Sequence, residues 1–132
     1  MAHPLEGKTI SRILIAEDKE ALKFETTEGD VITIAYGDCC STTWVEHVDL
    51  PARGFPALVQ SVSNLDLNKP DEESEYTVIQ FYGLKITTNN GDIIIDYRNE
   101  SNGYYGGDLV FEGSYAWYPR TDEDAKWMPI AS

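Results

Sequence analysis

The segment "YTVIQFYGLKITTNNGDIIIDYR" (76–98) constrains the fold more than any other. Two runs rich in β-branched and aromatic residues flank Asn90-Gly91. That dipeptide is the strongest short-range hairpin signal, because a type I′ turn needs φ > 0 at both central residues. Other runs repeat the period of two. "TISRILIAED" (9–18), "ALKFET" (21–26), "VITIAYG" (31–37) and "DLVFEGSYAWY" (108–118) all read as strands, with "TEGD" (27–30) as a turn in which Gly29 takes φ > 0. "ALVQSVSNLDL" (57–67) is read as a strand, since Val59, Val62 and its serines are poor helix formers.

One stretch departs from this pattern. In "STTWVEHV" (41–48), Thr43 and Glu46 have capping-box spacing, and Trp44, Val45 and Val48 fit one helical face. This predicts a short helix packed on the sheet. "DLPARGFP" (49–56) is a connection. "NKPDEESE" (68–75) is an acidic, solvated, mobile loop, and "PRTDEDAKWMPIAS" (119–132) is a polar tail that docks through Trp127, Met128 and Ile130. The expectation is one domain over 1–132 of the α+β class, a mainly antiparallel sheet with one or two short helices.

Charge narrows the partners. Ten Lys+Arg stand against 23 Asp+Glu, for a net charge of -13 over 132 residues. Nucleic-acid binding releases counterions through a basic face, which this composition does not supply. A local group of N–H donors with an arginine still holds a small anion in an acidic protein. No apolar run reaches the ~18 residues of a membrane helix. "MAHPLEGKTIS" lacks the pattern of a secretory signal, so a soluble cytoplasmic protein is expected. The two cysteines, Cys39 and Cys40, are adjacent, which disfavours an ordinary disulfide between them.

Two segments carry candidate chemistry. "RNESNGYYGG" (98–107) follows the apolar run "DIIIDY". Arg98 offers a planar fork of donors, Asn99, Ser101 and Asn102 offer amides and a hydroxyl, and Tyr104 and Tyr105 offer flat faces for a base. The same residue types also build a wide turn. "YGDCCSTTW" (36–44) ends a strand at Gly37 and opens the expected helix. It admits a reactive cysteine with His47 as base, or a metal site of Asp38, Cys39, Cys40 and His47, or a buried thiol beside a capped turn. Arg53 and Arg120 either reach a second phosphate or pair with surface acids, and Tyr115, Trp117 and Tyr118 suit a core or a subunit contact. There is no P-loop, no G-x-S-x-G and no H-E-x-x-H.

At "YGDCCSTTW" and "YRNESNGYYGG" the sequence resembles a family of small phage and prophage proteins that pairs GDCCS-x-x-W with R-N-x-S-N-G-Y-Y-G-G. It is also similar to the Thoeris anti-defence sponge proteins, with which phages capture cyclic ADP-ribose-type signals. The resemblance implies a non-catalytic α+β homo-oligomer, with ligand pockets between subunits and no cofactor. It assigns a small nucleotide-derived ligand to Arg98, Asn99, Ser101, Asn102, Tyr104, Tyr105 and Trp44. The alternatives are a structural or protein-interaction accessory protein, and a Cys/His or metal-dependent enzyme at Asp38–His47.

Overall fold

The computed structural model describes residues 3–37, 41–103, 106–111 and 126–130. Their backbone forms ten strands: β1 Thr9–Ala16, β2 Ala21–Thr26, β3 Gly29–Gly37, β4 Thr42–Asp49, β5 Ala57–Leu65, β6 Glu72–Glu73, β7 Val78–Thr88, β8 Gly91–Ser101, β9 Gly107–Phe111 and β10 Trp127–Pro129. The main path through the sheet is β4-β8-β7-β5-β1-β2-β3-β9, with β6 beside β7 and β10 beside β1. Every pairing is antiparallel. The fold is all-β. The expected α+β class is overturned, for there is no helix among the described residues, and so none long and apolar enough to cross a membrane.

The stretch 41–48, expected as a helix, is strand β4. Its Thr42, Thr43, Val45 and Val48 are β-branched and favour extended backbone. The three-residue step from Val45 to Val48 imitates a helical stripe, yet it has a different cause. The register against β8 shifts between Val45 and His47, so Val45 and Val48 both face the core. A similar shift between Ile10 and Arg12 blurs the alternation of β1 and buries both Ile10 and Ile13.

The β7–β8 hairpin is present, but Asn90-Gly91 is not the centre of its turn. Thr88 pairs with Gly91, leaving Asn89-Asn90 as the loop. Gly91 takes φ +119°, whereas neither asparagine has positive φ. The Thr88 hydroxyl accepts from Asn90 N (3.1 Å) and donates to Gly91 O (2.5 Å). The β2–β3 hairpin has the same wiring: Thr26 accepts from Glu28 N and donates to Gly29 O, with Gly29 at φ +112°. The hydroxyl ties the loop and glycine supplies the backbone turn, so T-x-x-G is the shared local code.

Strand β5 joins two halves of the sheet. It meets β1 only at Thr9↔Leu58 and Ile10↔Ala57, and β10 takes over the same edge of β1 at residues 14–16. Beyond that junction the halves fold over one core. Ile10, Ile13, Leu22 and Phe24 come from one side, and Val45, Val59, Ile86, Ile93 and Ile95 from the other. Burying each such side chain stabilises by roughly 1.5–3 kcal/mol. The two ends of the path also approach. Ser41 Oγ donates to Gly106 O at 3.3 Å, but β4 and β9 do not pair as strands, so the sheet is not a closed barrel.

The chain from His3 to Leu5 is anchored on the core. The His3 ring stands edge-on to Phe111 at 4.3 Å, and Leu5 is fully buried. Burial holds the His3 imidazole below its usual pKa, partly opposed by Glu6. In the tail, Ile130 packs on the core and Trp127 covers the Lys23 ammonium at 4.7 Å.

Candidate functional site

Strand β8 decides where the predicted binding residues go, because alternate side chains leave opposite faces of a sheet. Ile93, Ile95, Tyr97, Asn99 and Ser101 are buried, while Asp96, Arg98 and Glu100 lie on the other face. Arg98 and Asn99 are therefore separated by the sheet itself and cannot line one cavity.

On the outer face, Arg98 sits between two aromatic residues in register: Trp44 of β4 on one side and Phe81 of β7 on the other. Its guanidinium lies 4.7 Å from the centre of the Phe81 ring. Nη1 is 3.7 Å from Glu46 Oε1 and Nε is 3.6 Å from Asp96 Oδ1. These ion pairs are too long for hydrogen bonds. Arg98 Nε and Asp96 Oδ1 are both buried without a hydrogen-bond partner. Glu46 is further held by the Trp44 indole, which donates to Oε2 at 2.9 Å. That bond, with the Arg98 charge adding to it, keeps the Glu46 carboxyl below its usual pKa.

The acidic segment completes this place. Glu72 and Glu73 pair with β7, which brings Lys69 back over the sheet. Lys69 Nζ stands 5.7 Å from the centre of Phe81 and 3.6 Å from Asp96 Oδ2. Lys69, Pro70, Asp71, Glu72, Phe81 and Arg98 line an open cleft of about 330 Å³. Two cations thus meet over one ring, where the ring face attracts them. Sequence reading missed Lys69, Phe81 and Asp96. The available signal was Lys69 itself, the single cation within an acidic run.

On the inner face, Asn99 is 0% exposed. Its Oδ1 accepts from Thr43 Oγ1 at 2.9 Å, and its Nδ2 donates to Gln80 Oε1 at 3.3 Å. Gln80 also accepts from Tyr82 OH at 3.1 Å, and Tyr82 stacks on Tyr97 at 5.3 Å. Burial pushes the Tyr97 phenol far above its usual pKa, and Asp108, through charge and a hydrogen bond, adds to the effect. Asn99 thus ties β4, β8 and β7 together. Ser101 is buried and its Oγ accepts from Gly103 N at 2.9 Å, which shapes the turn out of β8. Asn102 is exposed in that bend. Tyr104 and Tyr105 lie outside the described residues.

The two sequence motifs meet in space. Both are crossings between the halves of the sheet at the same end. Gly37 pairs with Gly107, and Ser41 reaches Gly106. A Cβ on Gly107 would overlap Thr43 Oγ1 and come within 3.0 Å of Asn99 Oδ1. The glycine therefore admits the Thr43–Asn99 hydrogen bond.

The alternative centre at Asp38–His47 loses the helix start that was expected to activate a thiol, since β4 is a strand. His47 Nε2 lies 2.8 Å from Asp49 Oδ1 on the exposed surface. Asp38, Cys39 and Cys40 fall outside the described residues, as do Tyr115, Trp117, Tyr118 and Arg120. Among the described residues no cluster of three His, Cys, Asp or Glu side chains is placed to hold a metal. Arg53 is exposed, and its backbone N donates to Asn90 O in the connection after β4.

No curated protein and no solved structure matches the chain. A family model described as a domain of unknown function, DUF7448, matches residues 3–111, which takes in every strand of the main path and both crossings and stops short of β10. With most of its length matched, the chain belongs to the DUF7448 family.

Proposed function

We propose that this protein is a non-catalytic binding module that captures a small phosphate-bearing, nucleotide-derived molecule of the cyclic ADP-ribose type, as a phage accessory protein countering bacterial defence. The host cytoplasm is its place of action and a homo-oligomer its working form. The observation that carries the reading is Arg98 Nε, buried and without a hydrogen bond beside a cleft that also holds Lys69. An unsatisfied buried donor costs roughly 1–3 kcal/mol, and a phosphate oxygen on Arg98 recovers that cost through a charge-assisted hydrogen bond. Trp44, in register with Arg98, offers the flat surface for a base, because both cations already crowd the Phe81 ring. The surrounding Glu46, Asp71, Glu72 and Asp96 limit how much negative charge the cleft accepts. That favours a compact ligand with one or two phosphates over a polyanion. Asn99 and Ser101 serve this reading only by holding the β8 end in place.

The test is thermal unfolding and calorimetry with a cyclic ADP-ribose isomer. Ligand at 100 times its dissociation constant is expected to stabilise the protein by about 2.7 kcal/mol. Denaturing the complex is expected to release the ligand intact. Loss of the response in Arg98→Ala, with an unchanged far-ultraviolet spectrum, supports the reading. An unchanged response in that variant, or chemical conversion of the ligand, overturns it.

A further inference from the structure

Every open strand edge is a template for pairing with another chain unless something blunts it. Most edges here are blunted. Strand β4 carries Glu46, His47 and Asp49, and its Val45 N already donates to Lys19 O at 2.8 Å. Strand β6 is two glutamates long, and β10 is three residues long. Strand β5 differs. The edge away from β7 meets β1 at Ala57 and Leu58 and is bonded last at Val59, whose N donates to Lys8 O and whose O accepts from Gly7 N. Past Val59 its partner among the described residues is β7 alone, through Leu65↔Gly83. The stretch Gln60–Leu65, exposed except at the half-buried Val62 and Leu65, holds no charge and no proline. In a chain of net charge -13, this edge adds no charge of its own to the repulsion between two copies.

The sequence of this edge is also self-complementary. In "QSVSN" (60–64), which follows the register shift between Val59 and Ser61, reversal about Val62 sets Val62 on itself, Ser61 against Ser63, and Gln60 against Asn64. A two-fold antiparallel contact requires that symmetry, because residue i meets j and j meets i. Facing serines and facing amides hydrogen-bond across such a pair. We infer that β5 pairs antiparallel with β5 of a second copy of this chain, centred on Val62, so that the dimer carries one sheet continuous across both subunits. Residues 66–72, which lead into one wall of the Arg98 cleft, leave directly from the end of this strand. This names a surface for the assembly proposed above, but it stands on the ligand-free chain and needs no bound molecule.

The experiment is sedimentation equilibrium of the full-length, ligand-free protein, which expects twice the 14.8 kDa chain mass at micromolar concentration. Ser61→Lys and Ser63→Lys each set a lysine against the facing strand's neutral serine, and together they set lysine against lysine. The double variant is expected to raise the dimer dissociation constant at least tenfold while keeping the circular dichroism spectrum. Val62→Cys is expected to form an intermolecular disulfide under mild oxidation, at a yield well above that of the parent chain with Cys39 and Cys40. A monomer at all concentrations overturns the inference, as does a dimer indifferent to the double variant or a Val62→Cys chain that crosslinks no better than the parent. Calorimetry with a cyclic ADP-ribose isomer on the same samples separates this outcome from a failure of the binding reading.

Discussion

Arg98 and Asn99 are neighbours in sequence and opposites in structure. Arg98 lies on the outer face, three-quarters buried, among charges it meets at 3.6–3.7 Å without a hydrogen bond. Asn99 lies on the inner face, fully buried, with donors and acceptors satisfied by Thr43 and Gln80. The first arrangement has unused donor capacity, and the second has used its capacity to join three strands. A polar residue serves a ligand when its surroundings leave it incomplete, and serves the fold when they complete it. The comparison breaks if the two substitutions to alanine behave alike.

Asn99→Ala is expected to be the more damaging to stability, by about 2–4 kcal/mol, because it leaves a cavity, strands the buried Thr43 hydroxyl and removes one of the two donors to Gln80 Oε1. Arg98→Ala is expected to cost under about 1 kcal/mol, since long ion pairs at a partly exposed site contribute little. Urea unfolding measures both, and equal losses would place Arg98 among the structural residues.

Gly107→Ala tests the same inner pin from the other side. Its Cβ would overlap Thr43 Oγ1, so a loss of about 1–3 kcal/mol is expected. Thr43→Ala removes the obstructing hydroxyl and methyl, so the double variant is expected to lose less than the sum of the two single ones. Strict additivity in urea unfolding would mean that the Thr43 side chain is not what excludes a Cβ at Gly107.

How much of this was readable beforehand differs between fold and site. Strands such as Ala21–Thr26 and the β7–β8 hairpin follow from alternation and turn chemistry, which are local. Strand β4 was misread because the register shift at Val45–His47 changes the spacing of core residues from two to three, and only the partner strand reveals the shift. The turn at Asn89-Asn90 was placed one residue late, because the Thr88 hydroxyl rather than the Asn-Gly pair sets the loop. At the site, Arg98 was singled out for its chemistry and Trp44 through the family resemblance, and β4–β8 pairing sets them side by side. Their companions Phe81 and Lys69 come from 17 and 29 residues upstream of Arg98, a juxtaposition that no local pattern encodes. Asn99 and Ser101 were grouped with Arg98 because a quoted motif carries no face; strand parity supplies it.

The two faces are also expected to fail at opposite ends of the pH scale. The Tyr97 phenol has its folded-state pKa raised above 10.0, so the unfolded chain loses its proton first. Its contribution to stability is full below pH 10 and declines as pH rises beyond it. Tyr97→Phe is expected to flatten the alkaline limb of stability against pH, measured by urea unfolding between pH 8 and about 11. On the outer face, Glu46 has its pKa lowered below 4.5, so its contribution is present above that value and is lost as pH falls through the folded pKa. An alkaline limb unchanged by Tyr97→Phe would place the phenol in a wetter setting than its partners Tyr82 and Asp108 indicate.

The smallest effect is expected for Lys69→Ala. The ammonium is half exposed and 3.6 Å from Asp96, so its removal is expected to change stability by no more than about 0.5 kcal/mol. Its removal also leaves Asp96 facing Arg98 alone, which draws the guanidinium more fully into an internal ion pair and away from an incoming phosphate. Ligand affinity is therefore expected to fall about three- to tenfold, less than for Arg98→Ala, and the deficit is expected to shrink as salt screens the lost charge. Isothermal titration at two ionic strengths reads both numbers. A loss as large as that of Arg98→Ala, indifferent to salt, would mean that Lys69 acts as a direct hydrogen-bond donor and that the 68–75 segment is part of the binding surface rather than its wall.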